Sequence, residues 1–398
     1  MKVEVPFSEL AELPTTSRKT AAQEFESAAA DFIDGYVDEE GSTSIRDVWR
    51  IDLARHYIDT DRLDVANEVI GKMTRSWDNF IFPLVLRIAQ KTSTDSDDER
   101  AKALAASHRN ELYQSDNQLA YVRHAVAVGR TDNLAPFIDT MPVLAEKGLA
   151  QIALTQTVEE AMTVRGLYRI RPQPKRSALH KFLGIEPKVK HGPGGVQDWA
   201  DRDGRSDARL DLAVASKGES ADAHGQAIES LSAILRPDEI RPDIYAYIGE
   251  LLERGNRTLV EDVVRAVRRK GDINVAEARV TVASKTHDPK DIGAAKRVLG
   301  GVGHPNGLSA NYLLANVVQI EVDAGRLKSA ARTCERIYDD WNENYTLGRA
   351  QLALLTGNLR NGDGAAADHY YRQLKHSKHP TIQFQTPLAV AKGLYTAA

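Results

Sequence analysis

The sequence predicts an all-α protein: an α-solenoid of stacked antiparallel helical hairpins in two arrays joined by a basic, Pro/Gly-rich linker. Three observations predict it. Ile320 to Tyr338 reads as an apolar helix end, an Asp323-Ala324-Gly325 turn, and a second helix with Leu327, Ala330, Cys334 and Ile337 on one face. The pattern recurs earlier, because Asp59, Arg62, Leu63, Ala66 and Trp77 match Asp323, Arg326, Leu327, Ala330 and Trp341 at a constant offset of 264. Turn signals near the C-terminal end fall at 255, about 289, 325 and 357, in steps of 34, 36 and 32. No stretch sustains period-two alternation, so strands are not expected.

Residues 1–44 read as a lead-in and one helix. The first 17 residues hold two prolines and suggest a poorly ordered start; from Ser17 to Tyr36, Ala21, Phe25, Ala28, Ala29 and Phe32 share a face. An N-terminal array is expected over 45–168. Its first hairpin runs from Ile45 to Met73, with Leu53, Ala54 and Tyr57 on one helix and Leu63, Ala66 and Ile70 on the other. A weaker pair follows at 80–107, the unit after Gly129 departs from the pattern with Leu134 where alanine is expected, and a shorter pair lies at 143–167. Over 169–209 the periodicity fails, because Pro172, Pro174, Pro187 and Pro193 with Gly192, Gly194, Gly195 and Gly204 interrupt helices. A stretch of that length is either functional or a linker or insertion between arrays. Hairpins resume over 210–398, ending with Leu347–Leu355, a turn at Gly357, Ala365–Leu374 and a capping helix at Leu388–Tyr395.

A lone hairpin cannot bury both faces of two short helices, whereas stacking buries each against its neighbours and leaves a concave inner wall. The hairpin positions resemble the tetratricopeptide repeat, whose 34-residue unit sets a small residue of the first helix against an alanine of the second. Arg55, His56 and Arg62 reappear as Arg123, His124 and Arg130 at an offset of 68, twice 34. This resemblance implies a non-catalytic scaffold or adaptor that holds a protein segment on its inner wall. One unit, Pro242 to Asp272, resembles the pentatricopeptide repeat, a family that reads single-stranded RNA, although the flanking units do not continue it.

The composition narrows the classes. A formal charge of −4 over 398 residues excludes a globally basic nucleic-acid binder, and one cysteine excludes an internal disulfide framework and suits a reducing compartment. Cys334 falls at an inward repeat position and reads as a core residue. The N-terminus lacks the apolar run of a signal peptide, and no window approaches the ~20 apolar residues that span a bilayer. The expectation is a cytoplasmic protein.

The most unusual stretch is 165–191, with eight Lys or Arg against one acid, a local charge of +7 that leaves −11 for the rest. Arg165, Arg169, Arg171, Lys175, Arg176 and Lys181, with Tyr168 and Phe182 among them, are the candidate partner-binding residues. They suit an acidic protein segment, or phosphates and stacked bases, and a solvated loop whose charges oppose aggregation is the plainer reading. Asn316 is the candidate in the groove. Gly300 to Gly307 lacks the Gly-Lys-Ser/Thr ending of a phosphate loop, and His376 with His379 has no further ligand at metal spacing. No catalytic motif, cofactor or metal is expected. The leading reading is a protein-binding scaffold; the alternatives are an RNA- or DNA-associated repeat protein using 165–191, or an enzyme subunit with an unrecognised site.

Overall fold

A computed structural model describes residues 7–36, 44–73, 78–168, 205–234, 240–268, 272–302, 307–337 and 345–396. Among these residues there are helices and turns and no strand. The helices are α1 (Phe7–Glu12), α2 (Thr15–Gly35), α3 (Ser44–Asp59), α4 (Leu63–Gly71), α5 (Asp78–Thr92), α6 (Asp95–Ala106) and α7 (Glu111–Ala127). Next come α8 (Leu134–Asp139), α9 (Leu144–Leu154), α10 (Val158–Tyr168), α11 (Arg205–Ala215), α12 (Ala221–Ala233), α13 (Arg241–Glu253) and α14 (Arg257–Arg268). The chain closes with α15 (Asp272–Thr286), α16 (Pro289–Gly301), α17 (Gly307–Asp323), α18 (Leu327–Cys334), α19 (Tyr345–Arg360), α20 (Gly364–Lys375) and α21 (Pro380–Thr396). Within each unit helices pair as hairpins, such as α3 with α4, α11 with α12 and α19 with α20, and the hairpins stack, which is the α-solenoid expected from the periodicity.

One turn geometry explains the hairpins. The amides of Arg62, Arg130, Asn256, Arg326 and Asp363 each donate to the carbonyl five residues back, at 2.7 to 2.9 Å. The preceding residue is left-handed each time, with Asp61 at φ 58° and Gly325 at φ 70°. This double-bonded C-cap satisfies carbonyls that a helix end leaves orphaned and turns the chain back along itself. Glycine reaches that φ without a Cβ clash; Asp61 shows that a short polar residue can also hold it. Ala66 and Ala330, the matched alanines, are fully buried. Trp77 and Trp341 lie outside the described residues.

The chain forms two compact units, one from residues 1–91 with 279–398 and the other from 92–278. The first is assembled from both ends of the chain. Helix α2 packs on α21, α1 packs on α20, and α3 meets both α2 and α21. Phe7, Leu10, Ala22 and Phe25 share one core with Leu355, Leu359, Leu374, Ile382, Val390 and Leu394. Trp49 on α3 is fully buried, stacked on Phe384 of α21 with centroids 5.6 Å apart and against Phe32 of α2 at 5.3 Å. Its indole Nε1 donates to Thr381 Oγ1 at 3.3 Å, so the ring enters the core with its polar atom satisfied.

Helices α2 and α3 also share a buried ionic clamp. Glu26 of α2, 2% exposed, sits 2.6 Å from His56 Nε2 and receives the Arg62 guanidinium, which also donates to Tyr395 Oη at 3.2 Å. In the second unit, Asp98 of α6 takes the equivalent place: His124 Nε2 lies 3.5 Å away, Arg130 is 3.5 Å away, and Tyr121 Oη donates to it at 2.8 Å. The His/Arg pair that recurs at an offset of 68 is therefore a repeated socket for a carboxylate from the preceding helix.

Four expectations need correction. The first residues are not all lead-in, because α1 docks Phe7 and Leu10 into the core; six residues are too few to show periodicity, and tertiary contact holds them. Gly357 is not a turn. It lies inside α19, where an added Cβ would come within 2.6 Å of Val322 Cγ1, and the turn falls at Gly362. The last helix starts at Pro380, runs through Pro387, and is covered by α2 rather than capping an open end. Finally, the units do not divide at 169–209. Helices α9 and α10 pack directly on α11, Lys217 Nζ donates to the Ala153 and Thr155 carbonyls at 2.9 and 3.0 Å, and residues 205–209 are already helical. The stretch 169–204 lies outside the described residues, and the helices on either side of it belong to one unit.

Trp49→Ala should cost about 3–5 kcal/mol in denaturant unfolding, since it empties a space shared by three helices. Gly357→Ala should lose about 1–3 kcal/mol through overpacking. Gly225→Ala, in α12 with nothing within 4 Å of the added Cβ, should gain about 0.5–1 kcal/mol. Equal responses at the two glycines would rule out close packing as the reason for Gly357.

Candidate functional site

The first helices of successive hairpins in the first unit are α17, α19, α21 and α3, each packed on the next. Side chains at i, i+3, i+4 and i+7 of a helix share one face. Asp52, Arg55, His56 and Asp59 on α3 have that spacing, as do Arg349, Leu352, Ala353 and Thr356 on α19 and Gln385, Leu388, Ala389 and Lys392 on α21. On α17 the set is Tyr312, Ala315, Asn316 and Gln319. These faces line an open cavity of about 340 Å³, with Tyr312 at its edge against Arg349.

The rows differ in chemistry. Ala315, Leu352, Ala353, Leu388 and Ala389 form a largely buried apolar floor. Along one rim the Arg349 guanidinium lies over the Tyr312 ring, 4.8 Å from its centroid. Gln385 Nε2 donates to Asp52 at 2.8 Å on the same rim, and Arg55 is 3.3 Å from that carboxylate. The other rim carries Gln319, Lys392 and Asp59, the last paired with Arg87 at 2.6 Å. His56 also lines the cavity but is committed to Glu26. Asn316 is half-buried at the edge of the floor, and its amide has no hydrogen-bond partner among the described residues. An apolar floor between amide and charged rims suits a chain segment better than a compact metabolite.

The inner helices of the second unit carry charge at a corresponding place. Arg209 of α11 bridges Glu146 of α9 and Asp243 of α13, with Nε 2.7 Å from Asp243 Oδ2, and Arg123 of α7 lies 3.5 Å from the same carboxylate. Burial disfavours the charged Arg209 side chain, but Asp243 and Glu146 outweigh it and raise its pKa. Asp116 of α7 is the surplus acid. Its side chain reaches solvent, yet desolvation by the surrounding wall and repulsion from Glu146 push it up to about 6, with Arg209 opposing. Asp116 is a site residue that the sequence did not single out.

Of the predicted partner-binding bases, only Arg165 lies among the described residues. It sits on α10, 13% exposed, paired with Asp211 of α11, which is 1% exposed. Its charge is thus engaged in holding α10 to α11. Arg169, Arg171, Lys175, Arg176 and Lys181 lie outside the described residues. Asn316 lines the cavity of the first unit. Asp52, Arg349, Gln385 and Lys392 were missed, although a polar face at heptad spacing repeated 36 residues apart on α19 and α21 could have marked the last three. Burial pushes the Cys334 thiol up to about 11, as suits a core residue. Among the described residues no helix is long and apolar enough to cross a membrane.

The fold and both inner walls define an all-α helical-repeat protein. No protein-family model and no curated protein matches this sequence. A solved structure described as "Circular tandem repeat protein with novel repeat topology and enhanced subunit contact surfaces" is similar at 14% identity, over 98% of this chain and 94% of that one, with a TM-score of 0.15. So low a score carries no weight for shape or function.

Asp116 has a measurable signature. Its folded pKa lies above the ordinary 3.8, so between about pH 4 and 6 the native state holds more protons than the unfolded one. Its contribution is therefore most favourable below that window and declines as pH rises through it, by about 1 kcal/mol or less once solvent screening is counted. Asp116→Asn should gain stability relative to the parent chain between pH 4.5 and 7 in urea titrations. A parent-to-variant difference that stays constant across that range would contradict the assignment.

Proposed function

We propose that the protein is a non-catalytic scaffold of tetratricopeptide type that holds a segment of a partner protein in the groove formed by α3, α17, α19 and α21. The observation that carries this reading is the row order: an apolar floor one residue-row wide on each helix, flanked by side chains able to hydrogen-bond a backbone. An extended or helical segment alternates apolar side chains with peptide groups and meets both needs at once. Arg349, balanced among the described residues by a ring rather than a carboxylate, favours a segment that brings an acidic group to that rim. The engaged state of Asp52 and Asp59 supports a binding role over acid–base chemistry, which needs a titratable group free to exchange protons.

The test is affinity capture with the full chain, with and without nuclease, followed by titration of the captured partner's binding segment against groove variants. Arg349→Glu and Asn316→Asp alter rim groups without emptying the core, so folding should be retained. Binding should weaken at least tenfold in each. A partner lost on nuclease treatment, or one that binds both variants as tightly as the parent chain, would refute the groove reading.

A further inference from the structure

The arginine that follows the left-handed turn residue is a fixture of three hairpins, and in one of them it has no acidic partner among the described residues. Arg62 clamps Glu26, and Arg130 clamps Asp98. Arg326 occupies the same position after Gly325, and its amide makes the same bond to the carbonyl five residues back. The carboxylate it would meet is absent because the clamp between these helices is inverted. The base comes from the preceding helix, as Lys296 of α16, and the acid from the first helix of the hairpin, as Glu321 of α17. Lys296 Nζ lies 3.0 Å from Glu321 Oε1, and Thr333 Oγ1 of α18 donates to the other carboxylate oxygen at 2.6 Å. Glu321, 1% exposed, is satisfied without Arg326.

Arg326 instead lines an open cavity of about 620 Å³ on the first unit, at the start of α18. Lys328 and Arg332 line it too, and neither they nor Arg326 have an acidic partner among the described residues. Among the described residues the one carboxylate in the wall, Asp363, accepts from the Ala366 amide at 3.0 Å as the cap of α20. Leu354, Ala366 and the ring of Tyr370 supply a drier side, and the Tyr370 hydroxyl has no hydrogen-bond partner among the described residues. Three cations against one committed carboxylate leave a surplus of two positive charges around a concavity. Guanidinium forks match phosphate oxygens in pairs, and a lysine adds a point charge.

We propose that this cavity is a phosphate-binding site, in which Arg326, Lys328 and Arg332 hold a phosphoryl dianion and Tyr370 borders the group that carries it. The phosphate arrives either as a free small molecule or on a phosphorylated side chain of a peptide. The site shares no lining residue with the groove of α3, α17, α19 and α21, so it stands whether or not that groove binds a partner.

The experiment is isothermal titration of the full chain with sodium pyrophosphate, and separately with a short phosphoserine peptide and its unphosphorylated twin. Expected is saturable one-to-one binding of at least one phosphate probe, none of the twin, and a loss of tenfold or more in Arg326→Glu and in Arg332→Glu. Lys290→Glu, an exposed cation of α16 outside the cavity, should bind as the parent does. The tighter probe identifies the source: pyrophosphate for a free phosphate, the phosphopeptide for a modified segment. Absence of saturable binding by either probe, or an equal loss in Lys290→Glu, would overturn the proposal, the latter by revealing diffuse surface attraction. Should a charge reversal unfold the chain by circular dichroism, Arg326→Gln replaces it, and unchanged affinity there would equally overturn the site.

Discussion

The contact between α2 and α21 is the constraint on which the first unit depends. Each helix would otherwise present an apolar stripe to water, and each lies near one end of the chain. Their pairing makes a composite hairpin from residues more than 340 positions apart, and α3 packs onto the result through Trp49, Phe32 and Phe384. Solenoids ordinarily need polar outer faces on their terminal repeats. Here α2 and α21 cover one another's apolar stripes. The junction also brings Asp52, Arg55 and His56 of α3 beside Gln385, Leu388 and Lys392 of α21, so the groove exists only because the ends meet.

Buried charge gives the repeats register as well as cohesion. A carboxylate taken from water is costly unless it is paired and hydrogen-bonded, so each inter-hairpin step that contains one is held to a single alignment. Glu26 has a histidine and an arginine, Asp98 has the same pair with a tyrosine, and Glu321 has a lysine and two hydroxyls. The requirement is for a paired acid, not for a particular partner. That freedom allows the clamp to invert at Lys296 and Glu321, and the inversion releases Arg326 to the surface.

The inner walls obey a positional rule that residue identity conceals. Arg209, Asp243, Glu277, Tyr312, Arg349 and Gln385 occupy one register position at steps of 34, 34, 35, 37 and 36 residues. In the second unit the position is an ion-pair row, in which Arg209 meets Asp243 and Arg241 meets Glu277 at 2.7 Å. In the first unit it becomes the rim of a groove, where Tyr312 meets Arg349 and Gln385 meets Asp52. A wall whose charges pair among themselves presents fewer free groups than one that ends in rings and amides, which is why the groove reading favours the first unit.

By itself the sequence determined the hairpins. Leu327, Ala330 and Cys334, or Leu63, Ala66 and Ile70, encode a buried face through spacing alone, and Gly325 encodes the turn through its backbone, because both are local properties of a few residues. It also marked Asn316 as facing inward, since a helix face follows from the 3.6-residue period. Only the tertiary structure decided that Gly357 is a helix crossing, that Pro387 lies within a helix, that the flanks of 169–204 belong to one unit, and that Arg165 is spent on Asp211. The physical reason is common to all four. A glycine, a proline or a cation has the same local signature whether it ends a helix, lies within one, or binds a partner, and what separates these cases is a neighbour far away in the chain.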